Sequence, residues 1–232
     1  MPNRLTFPAA TEFCHTAVFD WAARLTLASV FTFLLFGNVF WIVQAVSDGK
    51  LHGSYHILLN IARASSALFA ALVAATTLTR LTPIRKAAGI EPRIAAVLGT
   101  FLVTALAILP QKQTSAVALA ISCSFVIVGM FSSFIVLRWL GKAFSIMPEA
   151  RRLITHGPYA LVRHPLYICE EIAVIGVFIQ VVSPVALTIL MAHAVFQVRR
   201  MLNEERVLKA AFPEYENYAR QTPRLIPMGW RS

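Results

Sequence analysis

Two short stretches of this 232-residue chain hold most of the side chains that can do chemistry: a loop at 151–167 and a run at 193–205. The loop reads Arg151-Arg152-Leu153-Ile154-Thr155-His156-Gly157-Pro158-Tyr159-Ala160-Leu161-Val162-Arg163-His164-Pro165-Leu166-Tyr167. Gly157-Pro158 marks a turn, and Pro165 suits the first turn of a helix, where its missing N–H costs nothing. The residue before a proline is held extended, so His164 would project beside the free amides of the following helix. Those amides, the positive end of the helix dipole and Arg163 together suit a carboxylate. A basic loop at a membrane face also serves simply as an orientation signal.

The second stretch carries His193, Gln197, Arg200 and Glu204 at offsets 0, 4, 7 and 11. At 100° per residue these fall within about 40° of one another, a polar stripe on one helix face. A stripe that begins inside an apolar helix must face protein or a wet cavity, because lipid offers it no partners. Ion pairs at (i, i+4), Arg200–Glu204 and Glu205–Lys209, account for its outer part but leave His193 and Gln197 unexplained. Upstream, His164, Tyr167 and Glu171 stand at offsets 0, 3 and 7, again one face. Glu170 and Glu171 enter an apolar run directly, at the depth of Arg199 and Arg200 across a predicted hairpin, so a salt bridge and a role at a site both fit them. On the second reading Glu171 orients a cationic head group or accepts its proton.

The elements that must position these groups are membrane helices. The chain is 57% hydrophobic and 14% charged, against about 25% charged in a soluble domain. Four apolar stretches approach the roughly 20 residues a crossing needs: Leu25–Val46, Ile57–Thr79, Ile94–Leu109 and Thr114–Leu137. A fifth, 168–198, is too long for one span and is broken by Ser183-Pro184, where proline removes a helix donor. It is read as two helices, about 168–182 and 185–200, folded as a hairpin. Six crossings place 18 of the 21 Lys and Arg residues on one side, Arg4 among them, with Lys50 and Lys112 opposite and Arg63 within the second span. This asymmetry puts both termini in the cytoplasm, in a bacterial inner membrane. It also accounts for the formal charge of +10 without a nucleic-acid partner. Arg63 is close enough to the outer end to snorkel, and Gly129 and Ser133 would let a neighbouring helix approach. Cys14, Cys123 and Cys169 are too scattered for a metal cluster and odd in number for a disulfide framework, and the N-terminus lacks a cleavable signal. The expected architecture is one all-α domain over 1–232, with four N-terminal spans (1–137) followed by the loop, the hairpin and a C-terminal segment (138–232).

The residues also resemble a known family. Leu153-Ile-Thr-His-Gly-Pro-Tyr159-x-x-Val162-Arg163-His164-Pro165-x-Tyr167 resembles the signature loop of the isoprenylcysteine carboxyl methyltransferase and phospholipid methyltransferase superfamily. Glu204-Glu205-x-x-Leu208-x-x-x-Phe212-Pro-x-Tyr215-x-x-Tyr218, ending Pro223-Arg224-Leu-Ile-Pro227, resembles its C-terminal signature, and Trp139-Leu-Gly141-Lys-x-Phe144-Ser145 also matches. The resemblance covers about 138–228. It implies a helical membrane enzyme that holds S-adenosylmethionine at the cytosolic ends of the last helices and methylates a lipophilic or lipid acceptor. By position, Leu153, Ile154 and Tyr159 border the cofactor, Val162, Arg163, His164 and Tyr167 contact it, and Glu204 and Glu205 close the pocket. Adjacent glutamates on a helix point about 100° apart, and the stripe favours Glu204 as the one facing the ligand. An acid suits the cofactor's amino group or ribose hydroxyls, Arg163 and His164 its carboxylate, and tyrosine faces its sulfonium.

The family glycine two residues after the loop tyrosine is replaced by Cys169, followed by Glu170-Glu171. Two acids at the portal favour an amine head group, with Glu171 acting on it. A prenylcysteine carboxylate would instead be oriented by Arg163 or Arg224. A nicotinamide-dependent reductase of the sterol-reductase type shares the scaffold, but its loops read Arg-His-x-Asn-Tyr with Asp-Glu beyond, where this chain has Arg-His-Pro-Leu-Tyr and Glu-Glu. A non-catalytic membrane protein on the same scaffold is the third class. The sequence leaves the oligomeric state open.

Overall fold

A computed structural model describes residues 10–49, 53–110 and 115–227, with side chains from Asp20 onward in the first helix. Arg4, Lys50, Lys112, Arg231 and the Cys14 side chain lie outside the described residues. The elements are α1 (Ala10–Ser47), α2 (Ser54–Thr79), β1 (Arg85–Lys86), α3 (Glu91–Phe101, continued as a 3-10 helix over Leu102–Ile108), α4 (Ala116–Leu140), β2 (Glu149–Ala150), α5 (Pro158–Leu161), α6 (Pro165–Val181), α7 (Pro184–Ala211) and α8 (Tyr215–Gln221). Helices 1, 2, 3, 4 and 7 are long and apolar enough to cross a membrane. Helix α6 has 17 residues, about 26 Å at helical rise, and runs antiparallel to α7. The all-α membrane architecture expected from the sequence is therefore the one observed, with one small exception. A two-residue antiparallel ribbon pairs Arg85 with Ala150 and Lys86 with Glu149, a contact too short to leave a period in the sequence.

Starts and stops follow local chemistry. Ser183 accepts a hydrogen bond from the Ala186 amide at 3.1 Å and Pro184 opens α7. This cap and proline make the break in the long apolar run. Ser115 caps α4 in the same way.

One face of the bundle collects the basic ends. Arg24 of α1 bonds Asp20 at 2.7 Å and the Arg80 carbonyl at 2.8 Å, Arg80 reaches Asp20, and Glu91 at the start of α3 binds Arg199 and Asn203 of α7. At the other end Arg63 lies over the Trp41 ring, 5.7 Å from its centroid, between apolar belt and solvent as a snorkelling arginine should be.

Close packing fixes the half of the bundle that carries the site. A Cβ on Gly129 of α4 would stand 2.4 Å from the Ala173 amide nitrogen of α6, and one on Gly176 of α6 would stand 2.7 Å from the Ser122 carbonyl of α4. Two glycines facing opposite ways let α4 and α6 approach backbone to backbone. The Ser122 hydroxyl then donates to the Gly176 carbonyl at 2.7 Å. Helix α7 leans instead on α3, with Gly99 against the Phe196 carbonyl. The hairpin helices therefore stand apart along their backbones and are bridged by polar side chains. A cavity opens between them and α1–α4.

Candidate functional site

The loop into α6 is shaped by three residues. Gly157 sits at φ +62°, and a Cβ there would meet the Trp139 ring at 2.8 Å, so no other residue fits without strain. Pro158 opens the single turn α5. His164, at φ −127° and ψ 58°, is outside helical geometry, as a pre-proline residue is. The C-terminal strap then crosses this junction: the Arg163 amide donates to the Pro223 carbonyl at 2.8 Å and the His164 amide to the Arg224 carbonyl at 3.1 Å.

Behind the loop lie three neighbouring spaces that share lining residues. The outermost, about 580 Å³, is lined by Ser145, Met147, Leu153, Ile154, Tyr159, Arg163, His164, Glu204, Tyr215 and Tyr218. A smaller one, about 300 Å³, shares Tyr159, Arg163, His164 and Glu204 with it and adds Phe144, Leu166, Tyr167 and Arg200. The third, about 920 Å³, lies among the membrane helices and shares Phe144 and Arg200 with the second. Its walls are mostly apolar (Phe31, Leu34, Phe69, Val73, Phe101, Val174), with Asn38, Ser66, Thr100 and Thr104 among them, and the hairpin side carries Glu170, His193, Gln197 and Arg200. His193, Gln197 and Arg200 are all buried, so the predicted stripe faces a cavity and not lipid.

Among the described residues, the adjacent glutamates part company. Glu204 turns into the outer pockets, where the Tyr167 hydroxyl donates to it at 2.9 Å, and Arg200 lies over the Tyr167 ring at 4.9 Å. Glu205 turns away. Arg163 and His164 each approach its Oε1 at 3.0 Å, and Arg224 binds it through two nitrogens, the closer at 2.9 Å. The carboxylate site expected at Arg163 and His164 is thus filled by the chain's own Glu205, which gives the largely buried Arg163 guanidinium its counter-charge and His164 a hydrogen-bond partner. The (i, i+4) pairs expected on α7 do not form: Arg200 faces Glu170 at 3.8 Å and Lys209 faces Glu216.

Of the other expected site residues, Leu153, Ile154 and Tyr159 line the outer pocket, Tyr167 lines the middle one, and Val162 is buried behind the wall. Arg224 stays on the outer surface with Glu205. Glu171 lines a groove on the far side of the hairpin, with Oε1 2.8 Å from His193 Nε2 and 3.3 Å from Gln197 Nε2. The acid on the membrane cavity is Glu170. Sequence reasoning gave no role to Tyr215, Tyr218, Ser145 or Met147; the first three stand in the quoted signatures, which was their signal, and Met147 had none.

The outer pocket retains binding capacity. Arg163 Nε and the Tyr215 hydroxyl are buried on its wall without a partner, as are Arg200 Nε and His193 Nδ1 deeper in. Burial, with Glu204 nearby, pushes the Tyr159 phenol well above its ordinary range, and burial raises Tyr218 to about 12. Both stay protonated and available as donors at neutral pH. The Tyr218 hydroxyl is spent on the Tyr159 carbonyl at 2.6 Å, which clamps α8 onto the loop. Among the described residues, no three His, Cys, Asp or Glu side chains come together as metal ligands.

A helical membrane bundle with a polar pocket at its basic face, opening onto an apolar cavity, defines the class. Residues 112–215 match the phospholipid methyltransferase family, which lies in the membrane methyltransferase superfamily that the loop and C-terminal motifs resemble. It is also similar to the cobalt-zinc-cadmium resistance protein CzcN of Cupriavidus metallidurans, 40% identical over 76 residues, which are 32% of this chain and 35% of that protein. The nickel-cobalt-cadmium resistance protein NccN of Alcaligenes xylosoxydans xylosoxydans is 35% identical over 80 residues, 34% of this chain and 38% of its own. The matched stretch spans little more than a third of either relative.

Proposed function

We propose that the chain is a membrane methyltransferase that binds S-adenosylmethionine in the outer pocket and methylates a lipid-like acceptor held in the membrane cavity. The observation that carries this reading is the arrangement of the three spaces: between the polar pocket at the basic face and the largely apolar cavity among the helices lies a middle space that shares Arg200 and Phe144 with the cavity. The positive-inside rule assigns that face, and both termini, to the cytoplasm, in a bacterial inner membrane.

The wall suits the cofactor. The Glu204 carboxylate can accept from an amino group or ribose hydroxyls. Arg163 and the Tyr215 hydroxyl line the pocket beside each other. Leu153 and Ile154 supply an apolar face. The cofactor contributes a sulfonium methyl group, transferred in line to a nucleophile. The chain's part is alignment: Tyr167, fixed by Glu204 and Arg200, floors the middle space, and Phe144 and Arg200 stand between it and the membrane cavity.

An amine is the acceptor group this opening suits best. Glu170 stands on the cavity wall beside Arg200, where it can orient an ammonium group and take its proton before the nitrogen lone pair attacks. Glu171, the acid expected to do this, lines the groove across the hairpin and is held there by His193 and Gln197, which reach it from the cavity side. A prenylcysteine carboxylate would meet Arg200, since Arg163 and Arg224 are committed to Glu205. Purified protein given cofactor with a labelled methyl group and a phospholipid bearing a primary amine should yield labelled N-methyl lipid. Labelling of a prenylcysteine analogue but not of the amine lipid would overturn the acceptor assignment and keep the enzyme class.

A further inference from the structure

A second pair of spaces lies on the opposite side of the α6–α7 hairpin and takes no part in the methyl-transfer route. At the basic face a groove of about 820 Å³ is lined by Arg163, Arg206, Lys209, Arg220 and Arg224, against two acids, Glu205 and Glu216. Five cations facing two carboxylates leave an excess of three positive charges. Glu205 is already shared by Arg163 and Arg224, and Glu216 by Lys209 and Arg220. Arg206 donates to the Asn203 side-chain carbonyl at 3.0 Å and otherwise faces Glu91 of α3, which does not line the groove. Next to it, at the depth of the membrane, is a groove of about 790 Å³ with walls of Ile168, Ile172, Ile175, Val198, Met201 and Leu225. Glu171 also lines it, but is engaged by His193 and Gln197.

The two grooves meet on three elements. On α7, Ala194, Val198, Met201, Glu205 and Lys209 fall at offsets 0, 4, 7, 11 and 15, one helix face running about 22 Å from apolar to cationic. At the start of α6, Arg163 of the basic groove lies one turn before Tyr167 and Ile168 of the apolar one. On the strap, Arg224 and Leu225 are consecutive. Such a surface, apolar where the bilayer core would lie and cationic where α7 leaves it, complements an amphiphile with an acyl chain and a negative head group. A zwitterionic head would leave the excess charge unmatched.

We propose that these grooves form one docking site for an anionic phospholipid of the leaflet at the basic face, with an acyl chain along Ile168–Ile175 and Val198 and its phosphate among Arg206, Lys209 and Arg220. Basic clusters at the membrane surface attract anionic lipid in this way. The site is separate from the acceptor cavity, so its occupant need carry no methylatable group.

The test uses the full chain in detergent and reads lipid retention by native mass spectrometry, with phosphatidylglycerol and phosphatidylcholine of identical acyl chains as probes and inorganic phosphate as competitor. Phosphatidylglycerol should be retained in preference to phosphatidylcholine. Replacing both Arg206→Gln and Lys209→Gln should weaken its retention on the order of 10- to 30-fold and leave phosphatidylcholine unchanged. Val198→Trp, which fills the apolar groove, should reduce phosphatidylglycerol retention while the chain stays monodisperse. Equal retention of the two lipids, or no effect of the double substitution, overturns the proposal. So does displacement of phosphatidylglycerol by millimolar phosphate, which would make this a free-anion site. None of these readouts depends on methyl transfer, so failure here leaves the proposed function standing, and the reverse also holds.

Discussion

Neighbouring glutamates on one helix should fail in different ways when truncated. Glu204 faces the outer pockets and receives one hydrogen bond, from the Tyr167 hydroxyl at 2.9 Å. Glu205 is the common anion of Arg163, His164 and Arg224, with a side chain only 10% exposed. Glu204→Ala removes a charged hydrogen-bond acceptor from the ligand wall, and such bonds contribute roughly 1.5–3 kcal/mol. The dissociation constant for S-adenosylmethionine should rise about 10- to 150-fold, with little change in apparent melting temperature. Glu205→Ala leaves Arg163 without a counter-charge and His164 without its hydrogen-bond partner. Breaking a buried pair costs about 3–5 kcal/mol. The half-exposed Arg224 contributes little to that figure, because water screens its charge. A fall of several degrees in melting temperature is expected, together with release of the strap at Pro223 and Arg224. Calorimetry and thermal unfolding in one detergent separate the two effects. A stable Glu205→Ala with normal binding, or a destabilised Glu204→Ala that binds like wild type, would refute the division of roles.

Glu170→Gln should lower turnover on amine lipids at unchanged cofactor affinity, whereas Glu171→Gln should act less, through His193; a larger effect at Glu171 in steady-state kinetics would move the acceptor to the other side of the hairpin. Gly129→Leu should abolish a monodisperse product in size-exclusion chromatography, since even its Cβ would stand 2.4 Å from a backbone nitrogen of α6; a well-behaved variant would contradict the α4–α6 packing. A reporter fused after Ser232 should be active only in its cytoplasmic form, and a periplasmic signal would contradict six crossings.

Much of this arrangement was legible in the sequence, and the part that was not has identifiable causes. The spans follow from apolar runs near membrane length, and the hairpin from the proline break at Ser183-Pro184; that Ser183 also caps α7 came only with the structure. The α7 stripe was readable because helical period alone groups His193, Gln197, Arg200 and Glu204. What period cannot supply is the partner across a gap: Arg200 meets Glu170 on another helix, not Glu204 on its own. Glu171 was favoured over Glu170 because it shares a helical face with His164, yet His164 precedes Pro165 and lies outside the helix, so its offset carries no angular information. From Tyr167, Glu170 and Glu171 stand at +3 and +4, and only the packing of α6 on α4 decides which one meets the cavity. The filling of the Arg163–His164 site by Glu205 is likewise a long-range pairing, 41 residues apart for His164.

The most direct measurement of the central claim is a calorimetric titration of the purified chain with S-adenosylmethionine and, separately, with NADPH. The account predicts saturable binding of S-adenosylmethionine that is weakened by Glu204→Ala, and no binding of NADPH. Saturable binding of NADPH with no response to S-adenosylmethionine would contradict it and turn the same pocket into that of a reductase.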